Sequence, residues 1–172
     1  MGVVIVIVIA VIIVCFLAKT GMDTEIQKST SIKDIVAAIS HGRVHPYYTG
    51  MNLNDVKYTV KRLHSNVEEF ESNLSMYELI GIVPSVEIPK FPSAYIERIS
   101  LGLNRDKKVD SITIEIKNLD ANLKELLKEL SAKLGKPMSV SNEFIIWRNR
   151  HMVINISKEG TINVIDESLM NF

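Results

Sequence analysis

Apolar and polar positions along this chain fall into three regimes. Gly2–Ala18, GVVIVIVIAVIIVCFLA, is apolar throughout. From Ser31 to Leu74 apolar residues recur at helical spacing, and from Tyr95 to Asp166 they mostly alternate with polar ones. The first regime predicts a membrane helix. A hydrocarbon core needs about 20 apolar residues at 1.5 Å per residue, and lipid forces backbone groups to pair within the segment. A buried strand is the weaker reading, because strands usually run about 4–8 residues.

Ser31–Ser40 predicts a short helix. Ser31 and Asp34 stand in capping-box spacing, Ile32, Ile35, Val36 and Ile39 share one face, and Gly42 can end it. Arg43–Met51, with Pro46 and Gly50, reads as a loop carrying the Tyr47-Tyr48 pair. Asn52 then opens a helix with Asp55 in its first turn. Leu53, Val56, Val60, Leu63, Val67, Phe70 and Leu74 follow in alternate steps of three and four, a heptad seam. It packs either on its own domain or on a second copy, and Ser65 with Glu68 can cap a new helix part-way. Met76–Phe91 contains Leu79–Val83 and then prolines, which suits an extended segment at a sheet edge.

The alternating regime predicts strands over Tyr95–Leu103, Ser111–Lys117, Glu143–Arg148, Met152–Ser157 and Thr161–Asp166. Both faces of Glu143–Arg148 are apolar, which predicts a strand that is central or covered twice. Asp120–Leu134 is a Leu-rich helix inserted between strands, stopped by Gly135 and Pro137. The expected class is α+β: an N-terminal transmembrane helix, two helices, and a mostly antiparallel sheet of about five strands. Its uncovered face would carry Thr113, Glu115, Asn155, Ser157 and Asn163. The expected division is 1–18 anchor, 19–30 juxtamembrane linker and 31–172 a single soluble domain.

Processing chemistry changes the anchor little. Cleavage after Ala18 would put the bulky Phe16 three residues before the cut, so an uncleaved anchor is expected. Lipidation at Cys15 is disfavoured by the preceding Val14, and Val6 stands where myristoylation expects Ser or Thr. Lys19, Lys28 and Lys33 are offset by Asp23 and Glu25, so charge does not fix orientation. A short tail before a long domain favours the exported side, periplasmic or extracellular.

Twenty basic and twenty acidic residues leave no net charge, which argues against a nucleic-acid partner. The one cysteine lies in the anchor, so the remainder has no thiol for disulfides or thiolate metal sites. His41 and His45 are four apart, but Gly42 and Pro46 break the helix that would align them as ligands. Asp106, Asp110 and Glu115 alternate with Lys107 and Lys108 and read as a solvated turn. No GxSxG or phosphate loop occurs. The expected protein is therefore not an enzyme, with no catalytic, cofactor or metal residues.

The residues expected to meet a partner are Tyr47, Tyr48, Trp147, Arg148 and Arg150, aromatic and arginine side chains of the kind that anchor interfaces. Gly50–Val56 is similar to the turn-into-helix opening of small bacterial envelope assembly lipoproteins, over about seven residues, too few to assign a family. Their two helices followed by three strands also differ from the helix-interrupted order here. Composition and anchor point to a membrane-anchored, non-catalytic protein-binding domain. An immunity or inhibitor protein fits, and so does an accessory subunit of an envelope complex. The expected partners are the bilayer through residues 2–18, another protein, or a second copy through the 53–74 seam.

Overall fold

Period-two alternation buries one face of each strand, and here those faces join into one surface. The computed structural model describes residues 31–63, 67–79, 85–88 and 93–170. The predicted anchor 1–18, the linker 19–30, the candidate cap at Ser65 and residues 80–83 of the apolar run lie outside the described residues. Among those described, no helix is long and apolar enough to cross a membrane.

The elements, in chain order, are α1 (Ile32–Ile39), β1 (Arg43–Val44), β2 (Tyr47–Tyr48), α2 (Leu53–Leu63), α3 (Val67–Leu79), β3 (Ser85–Ile88), β4 (Ile96–Leu103), β5 (Val109–Ile116), α4 (Leu119–Leu134), β6 (Ser139–Val140), β7 (Phe144–Asn149), β8 (Met152–Ser157) and β9 (Thr161–Asp166). A 3₁₀ turn over Glu167–Leu169 follows. The fold is α+β and its main sheet is antiparallel, with seven strands in the order β3-β4-β5-β9-β8-β7-β6. A separate ribbon pairs β1 with β2.

The described residues thus hold nine strands in two sheets, where the hydropathy pattern predicts about five in one. The difference lies in short strands. β1, β2 and β6 have two residues each, too few to show a period, and β3 stands between prolines. β3 does take the predicted edge position.

Local chemistry sets the helix starts. The Ser31 hydroxyl accepts from the Asp34 amide at 3.1 Å and donates to the Asp34 carboxylate at 2.6 Å. Asn52 and Asp55 repeat this at α2, where the Asp55 amide donates to Asn52 Oδ1 at 3.0 Å. Gly135, at φ +82°, closes α4 with its amide on the Ser131 carbonyl at 3.0 Å.

The heptad seam falls on α2 and α3, the helices described on either side of residues 64–66. Its members Leu53, Val56, Val60, Phe70 and Leu74 are buried in the domain's own core. A second copy could reach those side chains only by opening that core. α4 packs against α1 and lays Leu126 and Leu130 into the same cluster.

Core-facing residues run across the sheet as Val86, Leu101, Ile112, Val164, Ile154 and Trp147. The opposite face runs Ser100, Thr113, Asn163, Asn155 and Ile146, and there Thr113 Oγ1 donates to Asn163 Oδ1 at 2.9 Å. β7 is one strand in from the edge and not covered twice. β6 flanks only Ile145 and Ile146, which leaves Phe144 exposed.

Candidate functional site

Two places on this scaffold gather side chains that the fold itself does not need. The first is a cavity of about 450 Å³ at one corner of the sheet. The end of α1 supplies Ser40 and His41, and the β1–β2 ribbon supplies Arg43, Tyr48 and Thr49. The β7–β8 turn adds Asn149, Arg150 and His151, with Met152 and Asp166 from β8 and β9. Gly42 holds the ribbon close. Its φ of +67° suits glycine, and a Cβ there would lie 2.5 Å from Thr49 Oγ1 and 2.8 Å from Met152 Cε.

Asp166 ties these segments together. Its carboxylate accepts from Thr49 Oγ1 at 3.3 Å, from the Ser168 amide at 3.1 Å and from Ser168 Oγ at 2.5 Å. His151 Nε2 stands 3.7 Å away, and the His151 carbonyl accepts from the Glu167 amide at 2.9 Å. Asp166 is the only carboxylate in the lining and is 7% exposed. The cavity's arginines stand differently: among the described residues, the side chains of Arg43 and Arg150 have no ion pair and no hydrogen bond. Arg150 also occupies the left-handed region, at φ +57°. It is the first residue of a two-residue hairpin turn, a place where glycine or asparagine is favoured. Holding a longer side chain there costs about 1 kcal/mol.

The second place is the opposite end of β7. Met138, Val140 and Phe144 are all large, apolar and more than one third exposed there, on or beside the short edge strand β6.

The five residues expected to meet a partner part company. Tyr48 and Arg150 come together in the cavity lining. Tyr47 and Trp147 are core side chains that offer a partner no surface. The Trp147 indole donates to the Gly135 carbonyl at 3.1 Å, pinning α4's end to β7. Arg148 lies on the uncovered face and pairs with Glu167 at 2.5 Å. The pattern missed Arg43, Thr49, His151 and Asp166, and weighed His41 only as a metal ligand with His45. Among the described residues, no cluster of three or more His, Cys, Asp and Glu is placed to hold a metal ion.

Burial pushes the Tyr47 phenol well above its ordinary 10.0. A raised value in the folded state leaves stability unchanged below pH 10, where both states keep the proton. Above that pH the unfolded phenol ionises alone, and stability falls. Tyr47→Phe is expected to flatten this alkaline decline in urea-unfolding free energies. An identical decline in the variant would remove Tyr47 as its source.

Fold and cavity together define an α+β domain with helices on one face of an antiparallel sheet and a cationic hollow at one corner. The chain belongs to the TP0088 domain family, whose model matches residues 46–172. The match begins within the β1–β2 turn, so α1, with Ser40 and His41, and β1, with Arg43, fall outside it. No curated protein and no solved structure matches the chain.

Proposed function

We propose that this is a membrane-anchored binding protein that acts by recognition rather than catalysis. Gly2–Ala18 spans the bilayer, and the domain stands on the exported side of a bacterial membrane to meet another protein. An immunity or inhibitor protein that blocks a toxic enzyme is one form of this reading, and an accessory subunit of an envelope complex is the other. The observation that carries it is the edge formed by Met138, Val140 and Phe144, exposed by 60%, 66% and 39%. β6 has two residues and stands at the edge of the sheet, so an apolar rim lies along a short edge strand. Edges of this kind are normally blunted by charge, and where they persist they take an added strand or an apolar partner.

The test places a photo-crosslinking residue at Val140 or Phe144 of the full chain in its native membrane, with Glu159 in the β8–β9 turn as control. One protein adduct at the edge positions, absent at Glu159, is expected. No adduct at either edge position in any growth condition, or the same adducts at all three, would overturn the proposal. Accessibility of a cysteine at Ser141 to an impermeant maleimide in intact cells checks the exported orientation.

A further inference from the structure

We propose that the corner cavity is a binding site for a small ligand bearing a phosphate-type oxyanion, held by the guanidiniums of Arg43 and Arg150. The site lies at the far end of β7 from the apolar edge and does not depend on the protein-partner proposal.

Three observations converge on it. The first is uncompensated charge. Arg43 and Arg150 line one hollow, and neither is ion-paired among the described residues, whereas the neighbouring Arg148 holds Glu167 at 2.5 Å. The one carboxylate in the lining, Asp166, is buried, and its oxygens are taken by Thr49 and Ser168. Asp166 offsets one of the two guanidiniums, so the lining keeps an excess of one positive charge, with the Tyr48 phenol and the rings of His41 and His151 as further polar groups.

The second is size. About 450 Å³ lies in the range of small-molecule sites and is too little for a folded partner. The third is the backbone at Arg150, held left-handed where glycine would sit without strain. A side chain kept at such a position has a use beyond the turn.

The chemistry follows from the fork. A guanidinium offers two parallel N–H donors that match two oxygens of a phosphate or a carboxylate. Two forks on one ligand call for more than two acceptor oxygens. A phosphate monoester has three terminal oxygens, and a lone carboxylate has only two. Both a soluble phosphate monoester and the headgroup of phosphatidic acid carry this group.

The experiment uses the full chain in nanodiscs of neutral phosphatidylcholine, titrated with inorganic phosphate, glycerol 3-phosphate and acetate at fixed ionic strength. Calorimetry and the ring resonances of His41 and His151 give the readout. Saturable binding of both phosphates, tighter than acetate, is expected. Arg43→Gln and Arg150→Gly should each weaken it by about tenfold or more. Arg150→Gly should also keep or raise the melting temperature, because glycine relieves the left-handed turn. Arg150→Asn is the second variant if glycine loosens the hairpin.

Repeating the titration in nanodiscs containing phosphatidic acid, whose headgroup is a phosphate monoester, separates the sources. Weakened phosphate binding there assigns the site to lipid headgroups, and unchanged binding assigns it to a soluble ester. Absence of saturable phosphate binding in neutral nanodiscs, or equal affinity in the arginine variants, overturns the proposal. Neither result bears on crosslinking at Phe144.

Discussion

Trp147→Ala is expected to cost about 3–5 kcal/mol of folding stability, the range for removing a large aromatic side chain from a packed core. The ring is 2% exposed, and its N–H reaches the Gly135 carbonyl at 3.1 Å. Two effects therefore add: a cavity beneath the sheet, and loss of the tie between the end of α4 and β7. The cavity dominates. Gly135 is itself exposed, so its carbonyl can turn to water, and the lost hydrogen bond is worth only about 1 kcal/mol. Trp147→Phe separates the two by keeping most of the ring, and should cost less than half as much. Small domains have about 5–15 kcal/mol in total, so the alanine variant sits near the edge of folding. Urea unfolding of the detergent-solubilised full chain, followed by circular dichroism, measures both, since the variants lack the chain's sole tryptophan fluorophore. A loss below about 0.5 kcal/mol, typical of surface sites, would return Trp147 to the surface role that its arginine neighbours suggest.

Asp166→Ala is expected to cost about 2–3 kcal/mol and to abolish phosphate binding as well. The cost comes from donors, not volume. The carboxylate serves Thr49 Oγ1, the Ser168 amide and Ser168 Oγ, all part-buried, and a buried donor left without its acceptor costs about 1–3 kcal/mol. These bonds fasten β2 and the 3₁₀ turn to the end of β9, so the cavity walls separate when they go. Glu167→Ala, one residue on, is the control. The Arg148 and Glu167 side chains are 48% and 39% exposed, and such pairs are worth about 0–1 kcal/mol before screening by salt. Equal losses in the two variants would mean that Asp166 does not organise the corner.

Legibility in the sequence follows the length of each pattern. β8 and β9 show as strict alternation, and β4 and β5 as alternation broken by one bulge each, because six or more residues repeat the same two-faced environment. α4 shows in its leucines, and the openings of α1 and α2 show as Ser31–Asp34 and Asn52–Asp55 because capping is local chemistry. Two-residue strands repeat nothing, so β1, β2 and β6 stay hidden. The seam from Leu53 to Leu74 looks continuous because two helices bury it in one core, and heptad spacing does not say whose core that is. At β7 apolar residues on both faces suggested double cover, when Phe144 and Ile146 lie on the face that no helix covers. The cavity was the least legible feature. Thr49 and Asp166 are 117 positions apart and meet only through tertiary packing. Arg150 was visible as an arginine expected to meet a partner. What escaped was its left-handed backbone and the second arginine brought beside it by a ribbon that reads as loop.

The sheet's order also imposes a timetable. β9 is the last of the described strands, yet it stands between β5 and β8 and bridges them within the sheet. Until Thr161–Asp166 has emerged from the ribosome or crossed a membrane, β3–β5 and β6–β8 are two half-sheets, each with an open edge awaiting the same strand. Pairing Ser111 with Ile165 closes a long loop, and closures of that span slow folding relative to local hairpins. For this chain, the last stretch of strand to be delivered is the one that turns two fragments into a domain.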